Sequence, residues 1–247
     1  MENVSLTTIF TRYNCPEWIC PACGNRTLKI KQDTFRTADI RLSREAACSD
    51  DWDPEWDREV YSCIFECESS KCREVVASSG IGWVEVNPLY PLDEEERYVQ
   101  YYQAKSFVPA LSAFTLPKSC PESVRQALEL SFNLILISPG SAANAVRISL
   151  EELMTSLGIQ KQRPNESLQS RINRLPSEYK VHQEALIAIK WLGNVGSHTL
   201  DEVRVNDVED AYNIIDFVLG KLYEGKTETI RELSKRMTLN FSSRKTT

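Results

Sequence analysis

Two hydrophobic periods divide this chain. Up to about residue 88, apolar positions alternate in short runs, the period of half-buried strands. Leu28–Lys31 is one run and Val60–Phe65 another, the second rich in β-branched and aromatic residues. Val75–Ala77 and Ile81–Val86 flank Gly80 and Gly82, which predicts a third strand region broken by a turn or bulge. Residues 89–120 read as a proline-rich connector, with Pro91, Pro109 and Pro117 and one extended segment at Tyr101–Val108. From Pro121 the period becomes that of helices. Val124, Leu128, Ser131 and Ile135 share one face, and Ala143, Val146, Leu150, Leu153 and Leu157 share the next. Ser138-Pro139 is a start signal, serine as N-cap and proline in the first turn, and Gly158 is a stop. A short helix follows at Leu168–Leu175. Another is predicted from Pro176-Ser177 through Leu192, with His182 early in it and expected at the surface. The last carries Val208, Ala211, Tyr212, Ile215, Leu219 and Leu222 behind an Asn206/Glu209 capping box.

The expected class is therefore α+β: a small β-rich module at 1–88, a connector at 89–120, an all-α bundle at 121–225, and a basic tail at 226–247. At about 150 residues per domain, 247 residues accommodate this. No run of 18 apolar residues exists, so no membrane span is expected, and the first residues lack the basic-then-apolar pattern of a secretion signal. The expected compartment is the cytoplasm.

That expectation changes the meaning of the eight cysteines. In a reducing compartment, paired cysteines point to metal before disulfides. Cys20-Pro21-Ala22-Cys23-Gly24 is a turn that aims two thiolates at one ion. Cys67 and Cys72 follow one predicted strand and precede the next, where a second such turn belongs. Four thiolates complete the tetrahedron of a structural Zn²⁺ site. The expected ligands are Cys20, Cys23, Cys67 and Cys72, with Cys15 and Cys63 as alternatives for one of them. The long gap between the pairs loops out an acidic, tryptophan-rich insertion, Asp50–Glu59. The chain has a net charge of −6, which argues against coating nucleic acid wholesale but leaves room for a local basic site.

The second constellation is polar. Lys190, Asn194 and His198 are spaced four apart, as are Arg147 and Glu151 on an earlier helix. Brought together, they would line a site with His198 as acid or base and Arg147 or Lys190 beside negative charge. The blander alternative is a helix end capped by Asn194 and His198, and an ordinary ion pair between Arg147 and Glu151.

These residues, Cys67-x4-Cys72, Ala143-x3-Arg147-x3-Glu151 and Gly193-Asn194-x-Gly196-Ser197-His198, resemble the domain of unknown function numbered 4145, over about residues 15–223. That family is similar to HEPN domains. The resemblance implies a HEPN-like helical bundle that commonly dimerises. It also implies a setting in prokaryotic restriction or antiviral defence, with a homodimer or a protein partner and RNA or DNA as further partners. Many HEPN domains are metal-independent ribonucleases with an Arg-x(4–6)-His motif. Here the corresponding positions are Gly193, Leu192 and Trp191, and the nearest cation is Lys190. The expectation is an accessory or interaction module. A divergent ribonuclease using His198, Asn194, Lys190, Arg147 and Glu151 is the alternative.

Overall fold

The computed structural model describes residues 4–87, 97–198, 203–223 and 236–237. The strands are β1 (Leu28–Ile30), β2 (Arg36–Asp39), β3 (Arg58–Cys67), β4 (Val75–Val86) and β5 (Tyr98–Val108). All pairings are antiparallel, in the order β1-β3-β4-β5. β2 shares the β3 edge with β1: Leu28 sits opposite Cys67 and Asp39 opposite Glu59. A 3-10 turn at Gln32–Thr34 separates the two short strands, and the Thr34 hydroxyl accepts the Ile64 amide there.

Alternation decides which face is core. Tyr61, Cys63, Phe65 and Cys67 of β3 point inward with Val76 of β4 and Tyr102, Ala104 and Phe107 of β5. The N-terminal segment folds over this face. Phe10 exchanges backbone hydrogen bonds with Tyr102, and its ring meets Trp18 and Tyr61 edge-on, both at 5.6 Å. β4 runs as one strand through the predicted break, with a register irregularity at Ser79/Gly80. A Cβ at Gly80 would lie 2.1 Å from the Gln103 carbonyl, so only glycine admits β5 so closely. β5 itself lies inside the stretch read as a connector: its inward residues need the sheet to be buried. Helix α1 (Arg41–Ala46) precedes the acidic insertion, which contributes a 3-10 turn at Pro54–Trp56.

The helical half comprises α2 (Glu122–Leu134), α3 (Pro139–Ser156), α4 (Leu168–Asn173), α5 (Gln183–His198) and α6 (Val205–Tyr223). The predicted apolar faces of α2, α3 and α6 are the buried ones. Ser131 is fully buried on the α2 face because it has partners on two other helices. Its hydroxyl donates to the Ala142 carbonyl (2.8 Å) and lies 2.7 Å from the Tyr212 hydroxyl. Two local expectations change. Helix α6 begins one residue before Asn206, so the expected capping box is not formed. Instead Asp207 accepts the Arg204 amide, and Glu209 accepts the Leu6 amide and Ser5 hydroxyl from the far end of the chain. His182, expected on the surface, is buried on a 3-10 turn before α5, edge-on to Phe217 at 5.8 Å.

One continuous buried cluster joins the halves. Phe114, between β5 and α2, packs against Phe132 at 5.4 Å and Tyr212 at 6.1 Å.

Candidate metal centre and polar groove

The four sulfurs of Cys20, Cys23, Cys67 and Cys72 all lie within 4.8 Å of one another. Cys20 and Cys72 are 3.7 Å apart, as are Cys23 and Cys67, far beyond a disulfide bond length of about 2.05 Å. All eight cysteines are free thiols.

Two turns of related design build the cluster. In the first, the Cys20 carbonyl accepts the Gly24 amide (2.9 Å), and the Cys20 amide donates to the Asn25 carbonyl (2.8 Å). Gly24 takes φ +73°, a conformation natural to glycine, and its open side faces Thr115. In the second, the Cys67 amide donates to the Glu74 carbonyl (2.8 Å), closing a loop two residues longer. Arg73 occupies the left-handed position there, at φ +55°, and its guanidinium pairs with Glu66.

Backbone amides turn toward the sulfurs in both loops. The Ala22 and Cys23 amides face Cys20, the Ser69 amide faces Cys67, and the Glu74 amide faces Cys72. Burial dominates at Cys20 and pushes its thiol up to about 12. Burial also works to raise Cys67, but the Thr27 hydroxyl, 3.1 Å from its sulfur, and the Ser69 amide outweigh it, bringing that thiol down to about 7. The cluster therefore contains one thiol near ionisation at neutral pH and a fixed set of amide dipoles to stabilise further negative charge. Four soft donors converging on one point can hold a metal ion.

The alternative ligands are used elsewhere. Cys15 lies 3.6 Å from the Leu28 carbonyl, and Cys63 is buried on β3 with its thiol pushed up to about 12 by desolvation. Neither belongs to the cluster. Thr27 and Ser69 escaped the sequence reading because a hydroxyl or amide near a sulfur leaves no signal in spacing.

The polar constellation divides differently. On α3, Arg147 donates to Glu151 at 2.7 Å and to Asn144 at 3.2 Å. Lys190 of α5 lies 3.4 Å from the centre of the Trp191 ring and donates to Gln169 of α4 at 3.3 Å. Asn194 is half-buried, and its carbonyl accepts the Ser197 hydroxyl. His198 closes α5, and its side chain lies outside the described residues.

Gly193 and Gly196 have a packing role. A Cβ on Gly193 would lie 2.4 Å from the Arg147 Cβ, and one on Gly196 would lie 2.3 Å from the Gly140 carbonyl. The two glycines let α5 approach α3 closely. In doing so they bring Arg147 against the residue next to Asn194.

Two residues join this polar cluster that the sequence reading did not select. Lys161 reaches Glu151 at 3.5 Å. Arg171 of α4, only 2% exposed, donates to the Ile159 carbonyl (2.9 Å) and to the Thr155 hydroxyl (2.8 Å). Their distance in sequence from Arg147 hid them.

Comparison with known proteins divides the chain in the same way. Residues 8–111 match a domain of unknown function (DUF8608), and residues 131–238 match another (DUF4145). The resemblance read over 15–223 thus separates into two families, with the cysteine-bearing sheet in the first. No curated protein and no solved structure matches the chain. None of the helices described is long and apolar enough to cross a membrane. The helical half of this chain belongs to the DUF4145 family.

Proposed function

We propose that this protein is a zinc-stapled binding module, in which a four-thiolate site fixes the sheet half and the helical half presents a HEPN-like surface to a partner. The observation that carries the first part is the closed sulfur cluster. A Zn–S distance of about 2.3 Å sets the edges of a regular tetrahedron near 3.8 Å, and two opposite edges here measure 3.7 Å. Four thiolates leave no open coordination position, so the ion would serve folding rather than substrate. Cys20 and Cys23 would hold it from the N-terminal segment, Cys67 from the end of β3, and Cys72 from the following loop.

Metal analysis of the purified protein tests this. One zinc per chain is expected, along with the visible absorption of tetrahedral cobalt–thiolate after exchange. Protein that is folded, metal-free and unable to take up either ion would end the reading.

For the partner, support comes from Trp191, which is 56% exposed on the outer side of α5, and from the family resemblance. The partner is a second copy of the chain or a subunit of a prokaryotic defence complex. A Trp191→Glu variant should lower the particle mass measured by light scattering, or abolish co-purification of that subunit. An unchanged mass and unchanged co-purification would exclude this face.

A second reading, a divergent ribonuclease, draws on one observation: Gly193 packs against Arg147, so a guanidinium belongs to the helix pair that carries Asn194, Lys190 and His198. RNA cleavage without added divalent metal, lost in His198→Ala, is its signature. Intact RNA with the wild-type protein removes it.

A further inference from the structure

The acidic, tryptophan-rich insertion and the outer face of the sheet form one surface that neither the sulfur cluster nor the helical half uses. The alternation that buries Tyr61, Cys63 and Phe65 of β3 turns Val60 outward, and it does the same for Ile81 and Trp83 of β4. Val60 and Ile81 stand directly opposite each other, 47% and 41% exposed. Trp83 lies opposite Arg58 on one side and Tyr101 on the other, its ring 6.4 Å from the tyrosine ring. The 3-10 turn at Pro54–Trp56 packs against β4, and the Arg58 guanidinium donates to the Glu55 and Asp57 carbonyls at 2.7 and 2.8 Å. Trp52 and Trp56, 41% and 49% exposed, therefore rim an apolar patch on the sheet.

Charge decides what fits there. Between residues 50 and 59 six carboxylates stand against one cation, Arg58, whose guanidinium is held by carbonyls. Among the described residues, none of Asp50, Asp51, Asp53, Glu55 and Asp57 forms an ion pair. The indole N–H of Trp52 donates to Asp57 at 3.2 Å and that of Trp83 to Glu85 at 2.7 Å, which ties down the ring edges and leaves ring faces beside unneutralised negative charge. An indole face attracts a cation, and carboxylates add charge-assisted hydrogen bonds to it. Lysine and arginine also bring apolar stems that cover hydrophobic surface. The same carboxylates repel phosphate-bearing partners. They also repel a second copy docked patch to patch, because a two-fold contact sets this acidic surface against itself.

We propose that this face docks a basic segment of another protein. Apolar side chains of that segment lie on Val60 and Ile81, and its arginine or lysine side chains reach across Trp52 and Trp56 to the carboxylates of the insertion. A contiguous apolar patch rimmed by polar groups is the form such surfaces take, and tryptophan is among the residues that carry most of the binding energy at them. The inference is separate from the Trp191 face on α5 and requires only a folded sheet half.

The test uses the full chain, with zinc content and thermal midpoint measured on the same samples. Three synthetic peptides of equal length are titrated by calorimetry: one of mixed arginine and leucine, one with glutamate in place of arginine, and one with serine in place of leucine. The first should bind, the second should not, and the third should bind more weakly than the first. Trp52→Ala and Trp56→Ala should each weaken binding of the first peptide about five- to tenfold, the size of one cation–aromatic contact. Glu55→Gln should weaken it about two- to fivefold, the size of one exposed ion pair. Glu129→Gln, the same charge change on α2, and Trp191→Ala, the same truncation on α5, should leave it unchanged. Both tryptophans of the insertion lie outside the buried core, so the peptide-free midpoints should match the wild type. Equal losses in Glu55→Gln and Glu129→Gln would reduce the effect to net charge and overturn the proposal. So would equal binding of the glutamate peptide, or no binding by zinc-loaded, folded protein. A fall in the particle mass of the chain alone in either insertion variant would make the occupant a second copy, which overturns it as well.

Discussion

The two halves of this molecule carry their chemistry at different ranges along the chain. In the sheet half, each pair of sulfurs belongs to one turn, and the turn is written in a few adjacent residues. In the helical half, the polar contacts of Arg147, Lys161, Arg171 and Lys190 link α3, the following loop, α4 and α5, which only packing brings together. The contrast extends to the glycines. Gly24 serves a backbone conformation, whereas Gly193 and Gly196 serve the approach of one helix to another. Short-range motifs thus reported a site in the first case and a packing seam in the second.

The largest expected effect breaks the sheet half alone. Structural zinc sites contribute on the order of 10 kcal/mol to folding. Cys67→Ser should therefore abolish stoichiometric metal and expose residues 8–111 to proteolysis, while Cys15→Ser leaves both unchanged. Equal behaviour of the two variants would make the cluster four ordinary thiols.

The helical half is broken next. Gly193→Val forces side chain against the Arg147 Cβ and the Ala143 carbonyl, and should cost about 1–3 kcal/mol in denaturant unfolding. Gly158→Ala is its control. It meets nothing within 4 Å but sits at φ +79°, so the expected cost is about 1 kcal/mol, the price of backbone conformation alone. If the two cost the same, the close helix approach is not what Gly193 provides.

Tyr212→Phe is smaller and sharper. It removes one buried hydrogen bond while Ser131 keeps its partner at Ala142, so a loss of about 0.5–1.5 kcal/mol is expected. No change would mean that this link between α2 and α6 is energetically idle.

The smallest effect is on pH. Burial, with Lys221 nearby, lowers the pKa of His182 below its ordinary value of 6.5. The unfolded chain then binds a proton more readily than the folded one. Stability should fall as pH drops through the unfolded value near 6.5, and level off below the folded value. His182→Phe should flatten that part of the stability curve. An unchanged pH profile in this variant would show that His182 is not the group responsible.

Much of the fold was legible because amphipathic periodicity is a local record of burial. The faces through Val124, Val146 and Val208 are core faces as read. β5 was harder to place because prolines flank it and its burial depends on β4. The Asn206/Glu209 spacing was a cap by local rules, but the chain start competes for Glu209 and takes it. His182 looked superficial because nothing near it in sequence announces Phe217.

The sequence by itself determined the α+β division, the apolar faces, and the four cysteines that come together. Each depends on backbone geometry within a turn or on a helical or strand period. Tertiary structure alone decided that Thr27 tunes Cys67, that Glu209 holds the N-terminal segment, and that Arg171 lies buried with its guanidinium on the Ile159 carbonyl and the Thr155 hydroxyl. Those outcomes depend on which surfaces meet, and the energy of meeting is shared among residues that no local spacing connects.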